Sequence, residues 1–252
     1  MTLENLGPRA QLRLDRLPLR FAVLLIGLSG YGVSLALLIR SDLGVSPWGV
    51  LQVALAQRGG VSVGAVVIAV SFAVLAAWWP LRQTPGIGTL ANCVWVGFAC
   101  DATLALVPQG HGLIGRAVAL VGGIVLNGVS SALYIGAQLG PGPRDGLMTG
   151  LHRVTGRPLA VLRLGIEVTV LGTGWLLGGP VGIGTALYAF GIGPIVQWVL
   201  PRVQIRTLRH RGATAAADAE ATNRGMTADA GVARPAGNEV TRLRAPRAGR
   251  SC

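Results

Sequence analysis

Six stretches of the chain run for about 17–25 residues with little or no charge, the length a helix needs to cross the hydrocarbon core of a bilayer. They fall at 21–39, 61–81, 86–107, 117–137, 160–178 and 181–201. Two shorter stretches broken by Gly and Pro lie between them: LGVSPWGVLQVAL (Leu43–Leu55) and LGPGPRDGLMTGL (Leu139–Leu151). Proline suits the first turn of a helix, where its missing N–H has no partner to lose. The pattern therefore predicts short helices over Trp48–Ala56 and Arg144–His152. Both are too short to span, so each lies at the interface or dips into the membrane as a re-entrant half-helix covered by protein or water. The predicted class is an all-α integral membrane protein with about six transmembrane helices.

The two interrupted stretches are copies. Aligned at an offset of 96 without gaps, residues 20–101 match 116–197 at 24 of 82 positions. The matches cluster: GVSxAL at Gly32 and Gly128, LGxxPxxxLxxxL at Leu43 and Leu139, and GIGT at Gly86 and Gly182. Each copy holds three spans. An odd unit followed by its copy re-enters the membrane from the opposite face, so the expected architecture is two inverted three-helix repeats. The expected organisation is a basic cytoplasmic segment over 1–19, repeats over 20–107 and 108–201, and a disordered basic cytoplasmic tail over 202–252.

Charge agrees with that threading. Lysine is absent, and all 22 basic residues are Arg. Cytoplasmic loops of membrane proteins are rich in Arg and Lys. With the N-terminus inside, the loop at 138–159 (Arg144, Arg153, Arg157) is also inside, while its twin at 40–60 (Arg40, Arg58) is outside. Both termini are then cytoplasmic in a bacterial plasma membrane. The apolar stretch after Arg20 is longer than the core of a secretory signal and no clean cleavage site follows it, so it reads as a retained first helix. Trp78, Trp79 and Trp198 stand at span ends, as interfacial anchors do. The Arg-rich start of the tail (PRVQIRTLRHR) suits anionic headgroups. Cys93 and Cys100 are too far apart on one helix to bridge.

Candidate chemistry comes from the few charges left in apolar surroundings, because an ionisable group inside a membrane is costly and usually faces a bundle interior or a cavity. Arg163 and Glu167 share a helix face four residues apart. They either lock each other or join Arg144 and Asp145 near the cytoplasmic mouth. Asp145 either caps its own helix or lines a cavity with Arg144. Asp101 is the expected proton or cation site toward the outer side, with pairing to Arg40 or Arg58 as the alternative. Substrate-binding candidates are thus Arg144, Asp145, Arg163, Glu167 and Asp101. The GIGT strings, and the glycines at 27–32, 122–123 and 172–174, are read as close-packing positions. No P-loop, zinc-ligand spacing or GxSxG elbow occurs, and no metal, cofactor or nucleic acid is expected.

The strings LGVSPWGVL, GTLANCVWVGFACD, LGPGPRDGLMTGL, RLGIE and LLGGPVGIGT resemble those of the YczE-like family of bacterial membrane proteins, related to the wider YitT-like set. That family has no settled activity. The resemblance implies a multi-pass inner-membrane protein in which Pro47, Asp101, Gly140, Pro143, Arg144, Asp145, Arg163 and Glu167 fall in family motifs. The leading expectation is a carrier that moves a small solute or ion through a site between the repeats, with Asp101 as an outer coupling site. An anionic or zwitterionic solute would suit the Arg groups. The rival reading is a non-transporting membrane partner or regulator of another export or assembly system. An enzyme is not expected, since no nucleophile–base pair is visible beside Asp101 or Glu167.

Overall fold

The computed structural model describes Gln11, residues 15–109 and residues 112–205, all within one compact unit. His111, the tail from Arg206 onward and most of the segment 1–19 lie outside the described residues. The described residues form helices joined by turns and short loops, with no strand among them. Among the described residues the helices are α1 (Leu17–Ser41), α2 (Pro47–Gly59), α3 (Val63–Ala76), α4 (Ile87–Leu106), α5 (Gly112–Gly136), α6 (Pro143–Thr155), α7 (Leu159–Leu176) and α8 (Ile183–Val203).

Five of these are long and apolar enough to cross a membrane: α1, α4, α5, α7 and α8. A sixth crossing is counted when α2 and α3, bent by 117° at their junction, are taken as one broken span. The expected span over 61–81 is shorter than hydropathy alone suggests. Residues 77–82 leave the helix as turns, because Pro80 can neither donate to the helical ladder nor clear the preceding turn. At 14 residues α3 is about 21 Å long, less than a bilayer core.

The offset of 96 carries over into helix boundaries. α2 and α6 start at Pro47 and Pro143, α3 and α7 at Val63 and Leu159, and α4 and α8 at Ile87 and Ile183. Local chemistry explains the matches. Prolines 47 and 143 open the short helices, with Ser46 capping the first by accepting from the Gly49 amide at 3.1 Å. In both GIGT strings the Thr hydroxyl reaches back to the amide of the capping glycine, Thr89 to Gly86 and Thr185 to Gly182.

Contacts between the repeats are reciprocal. The Gly88 amide donates to the Leu139 carbonyl at 2.8 Å, and the equivalent Gly184 amide donates to Leu43 at 2.7 Å. Arg20 Nη1 donates to the Ala137 carbonyl at 3.0 Å, and its twin Arg116 donates through Nε to Ser41 at 2.8 Å. Each arginine starts its own first helix and caps the end of the other's, so α1 and α5 run antiparallel. They cross through small residues: a Cβ on Gly27 would lie 2.8 Å from the Tyr134 amide, and one on Gly123 would lie 3.1 Å from Leu38. Gly44 and Gly140 sit at φ +110° and +119°, where only glycine is comfortable, pressed against the partner GIGT string. Gly122 and Gly172, by contrast, have nothing within reach of an added Cβ and are not packing positions.

Candidate functional site

The two short helices point their starts at one cavity of about 230 Å³ to which all eight helices contribute residues. Ser46, Pro47 and Trp48 enter from α2, and Gly142, Pro143, Arg144 and Asp145 from α6. Residues 48 and 144 are equivalent under the repeat, and they touch: the Arg144 guanidinium lies 4.6 Å from the centre of the Trp48 ring. The cavity thus brings together matching positions of the two sequence copies.

Four of the five candidate residues line this cavity. Arg144, Asp145, Arg163 and Glu167, separated by up to 23 positions in sequence, share its wall. Arg163 Nε donates to Glu167 Oε1 at 3.0 Å, an i,i+4 ion pair along α7. Asp145 Oδ2 accepts from the Tyr134 hydroxyl at 2.8 Å, and Arg144 Nη1 donates to the Tyr31 hydroxyl at 3.3 Å. The structure thus combines both readings of the Arg163–Glu167 pair: the two are locked to each other and face the cavity.

Asp101 stands apart. It is not in the cavity wall, and its Oδ1 accepts the Gly64 amide at 2.7 Å, closing the first turn of α3. It pairs with neither Arg40 nor Arg58. Arg40 donates to the Leu104 carbonyl, and Arg58 donates to the Leu177 carbonyl at 2.9 Å.

Trp78 corrects another expectation. It is 1% exposed rather than anchored at an interface. Its indole N–H donates to the Pro143 carbonyl at 2.9 Å, and its ring fills the space that a side chain on Gly146 would need. Trp79 and Trp198 are exposed, as anchors are.

The aromatic part of the site was not anticipated. The chain has three tyrosines, and Tyr31, Tyr134 and Tyr188 all line the cavity. Tyr31 and Tyr134 meet edge to face with centroids 6.1 Å apart. Tyr188 donates to Asn127 Oδ1 at 2.8 Å, and the Asn127 amide donates to Ser34 Oγ at 2.6 Å. Buried hydroxyls and amides need such partners. A usable signal existed: tyrosine favours the membrane–water interface, so one placed well inside an apolar span marks a polar interior.

Fold and site together define a multi-span helical membrane protein with a charged cavity where two structural repeats meet. The chain belongs to the DUF6198 family, a family of unknown function, whose pattern matches residues 18–201. It is 37% identical over 179 residues to an uncharacterized protein of Haemophilus influenzae, covering 71% of this chain and 82% of that one. It is 36% identical over 174 residues to the uncharacterized membrane protein YczE of Bacillus subtilis, covering 68% and 80%. A third relative, the uncharacterized protein YyaS of Bacillus subtilis, is 26% identical over 183 residues, covering 71% and 91%. No solved structure matches the chain.

Proposed function

We propose that the protein is a bacterial plasma-membrane carrier that moves a small solute or ion through this cavity, between two three-span repeats crossing the bilayer in opposite directions. The observation that carries the reading is the shared wall: four ionisable side chains from one repeat, facing the start of the other repeat's short helix. Charge at that depth is costly unless water or solute occupies the space. Interrupted helices at equivalent positions of inverted repeats, meeting at a central site, are the architecture of many secondary transporters. The antiparallel run of α1 and α5, held by the Arg20 and Arg116 caps, supports the inversion. The Arg distribution supports cytoplasmic termini. Asp101 is assigned to holding α3 in place rather than to the solute, since its carboxylate is engaged with the Gly64 amide.

The test is flux. Proteoliposomes carrying the purified protein take up a member of a labelled panel of amino acids, organic acids and inorganic ions. Glu167→Gln, which leaves Arg163 without its carboxylate, abolishes that uptake while membrane insertion is retained. Absence of flux across the panel, together with a stoichiometric protein partner on purification, would replace the carrier with the non-transporting membrane partner.

A further inference from the structure

The charges in the cavity are placed unevenly, and their placement bears on what fits between them. Arg144 and Asp145 are neighbours in sequence, yet the ion pairs among the described residues do not include one between them. Arg144 lies over Trp48 and donates to Tyr31, while Asp145 accepts from Tyr134. A positive and a negative group are thus held side by side without a direct ion-pair contact, each hydrogen-bonded to a tyrosine. Arg163 and Glu167 close a second pair against each other at 3.0 Å. With all four ionised, the wall is neutral in sum but locally polarised.

The remaining lining is different in character. Where α6 and α7 supply the charges, the equivalent positions of α2 and α3 are Trp48, Gly49, Val67 and Ser71. Val70, Val74 and Val96 extend that uncharged side, with Ser71 and Asn92 as its polar members, and the whole space measures about 230 Å³.

We infer that this cavity binds a small zwitterion with an apolar side group, its anionic end on Arg144 and its cationic end on Asp145. The inference names the solute class of the carrier proposed above and rests on that reading. A solute with a single negative charge would compensate Arg144 but face Asp145 and Glu167, and one with a single positive charge would meet the converse. Only a guest bearing both charges pairs both ends, and the cost of an unpaired charge rises as water is excluded. The apolar wall accepts the side group and draws on burial for affinity.

The experiment uses the purified full-length protein in micelles and three matched sets of probes. These are alanine with propionate and ethylamine, leucine with 4-methylpentanoate and 3-methylbutylamine, and phenylalanine with 3-phenylpropionate and 2-phenylethylamine. At least one of the three amino acids raises Tm saturably, and its two single-charge analogues bind about tenfold more weakly or worse. Arg144→Gln shifts the preference within that set toward the amine, and Asp145→Asn shifts it toward the acid; a merely structural role would lower Tm without reordering the probes. An analogue that binds as tightly as its amino acid, or no binding by any of the nine probes, overturns the assignment. The wild-type ranking decides the matter even where a variant fails to fold. Flux is measured separately with the same probes. A zwitterion that binds without being moved would end the carrier reading and leave the site, whereas an acid moved without zwitterion binding would end the site assignment and leave the carrier.

Discussion

The two repeats use one skeleton in two ways, and the clearest contrast is between the α3–α4 pair and its equivalent, α7–α8. In the first repeat the helices are joined backbone to backbone. A Cβ on Gly97 would lie 2.5 Å from the Gly64 carbonyl oxygen, and Asp101 completes the join by accepting the Gly64 amide. In the second repeat the equivalent residues are Ala160, Gly193 and Gln197. Gly193 has nothing within reach of an added Cβ, and both Gly193 and Gln197 line the cavity. Pro194 further weakens α8 there by removing a ladder donor. One pair is zipped and the other stands open onto the charged space. Matched features of the repeats (the GIGT strings, the arginine caps, the glycines at 44 and 140) build the frame, and the site is built where the repeats differ.

The packing of the short helices differs in the same way. Trp78 at the end of α3 is set into Gly146 of α6, whereas its equivalent, Gly174 of α7, lies directly on the backbone of α2, 2.5 Å from the Leu51 amide once a Cβ is added. The indole acts as a spacer on one side of the molecule, and its absence lets the helices touch on the other. That leaves α6, with Arg144 and Asp145, standing off from α3.

The largest expected effect comes from removing the spacer. Trp78→Ala takes a fully buried ring and a hydrogen bond out of the α3–α6 contact and costs about 3–5 kcal/mol in unfolding measured in micelles. Trp79→Ala at the exposed neighbour changes stability by less than about 0.5 kcal/mol. Next in size is the zipper. Gly64→Ala forces a methyl against the Gly97 carbonyl and costs about 1–3 kcal/mol. The equivalent test on the open side, Gly193→Ala, is neutral or stabilising by up to about 1 kcal/mol, since it meets no atom and favours helix. Equal losses at the two glycines would erase the contrast. A smaller change follows Asp101→Ala, which takes the acceptor from one first-turn amide of α3 for about 1 kcal/mol and leaves solute binding as it was. The smallest is Tyr134→Phe, which takes one hydrogen bond from Asp145 for about 0.5–1.5 kcal/mol.

Much of the frame was legible in the sequence because it rests on local chemistry and on hydropathy. Prolines 47 and 143 mark the short helices, and the apolar runs other than 61–81 mark the five long helices to within about five residues. The meeting of Arg163 with Glu167 follows from helical spacing alone. Three features were not legible because each depends on a partner distant in the chain. Asp101 reads as a lone intramembrane acid until α3 brings Gly64, 37 positions away, to its carboxylate. Trp78 reads as an anchor until Gly146 of the other repeat offers it a slot. The tyrosines are scattered over 157 positions and converge only through the antiparallel crossing of α1 and α5 and the seating of α8 beside them.

In the proposed carrier, equivalent segments of the two repeats reach opposite faces of the membrane, with the charged cavity between them. Val61 and Arg157 are exposed equivalents, each just beyond the end of a short helix. Cys93 and Cys100 are buried, so with Cys252→Ser as background, single Val61→Cys and Arg157→Cys variants can be labelled by a membrane-impermeant thiol reagent in intact cells and in inverted vesicles. The expected result is that Val61→Cys reacts only from outside the cell and Arg157→Cys only from the cytosolic face. Labelling of both positions from the same face would contradict it.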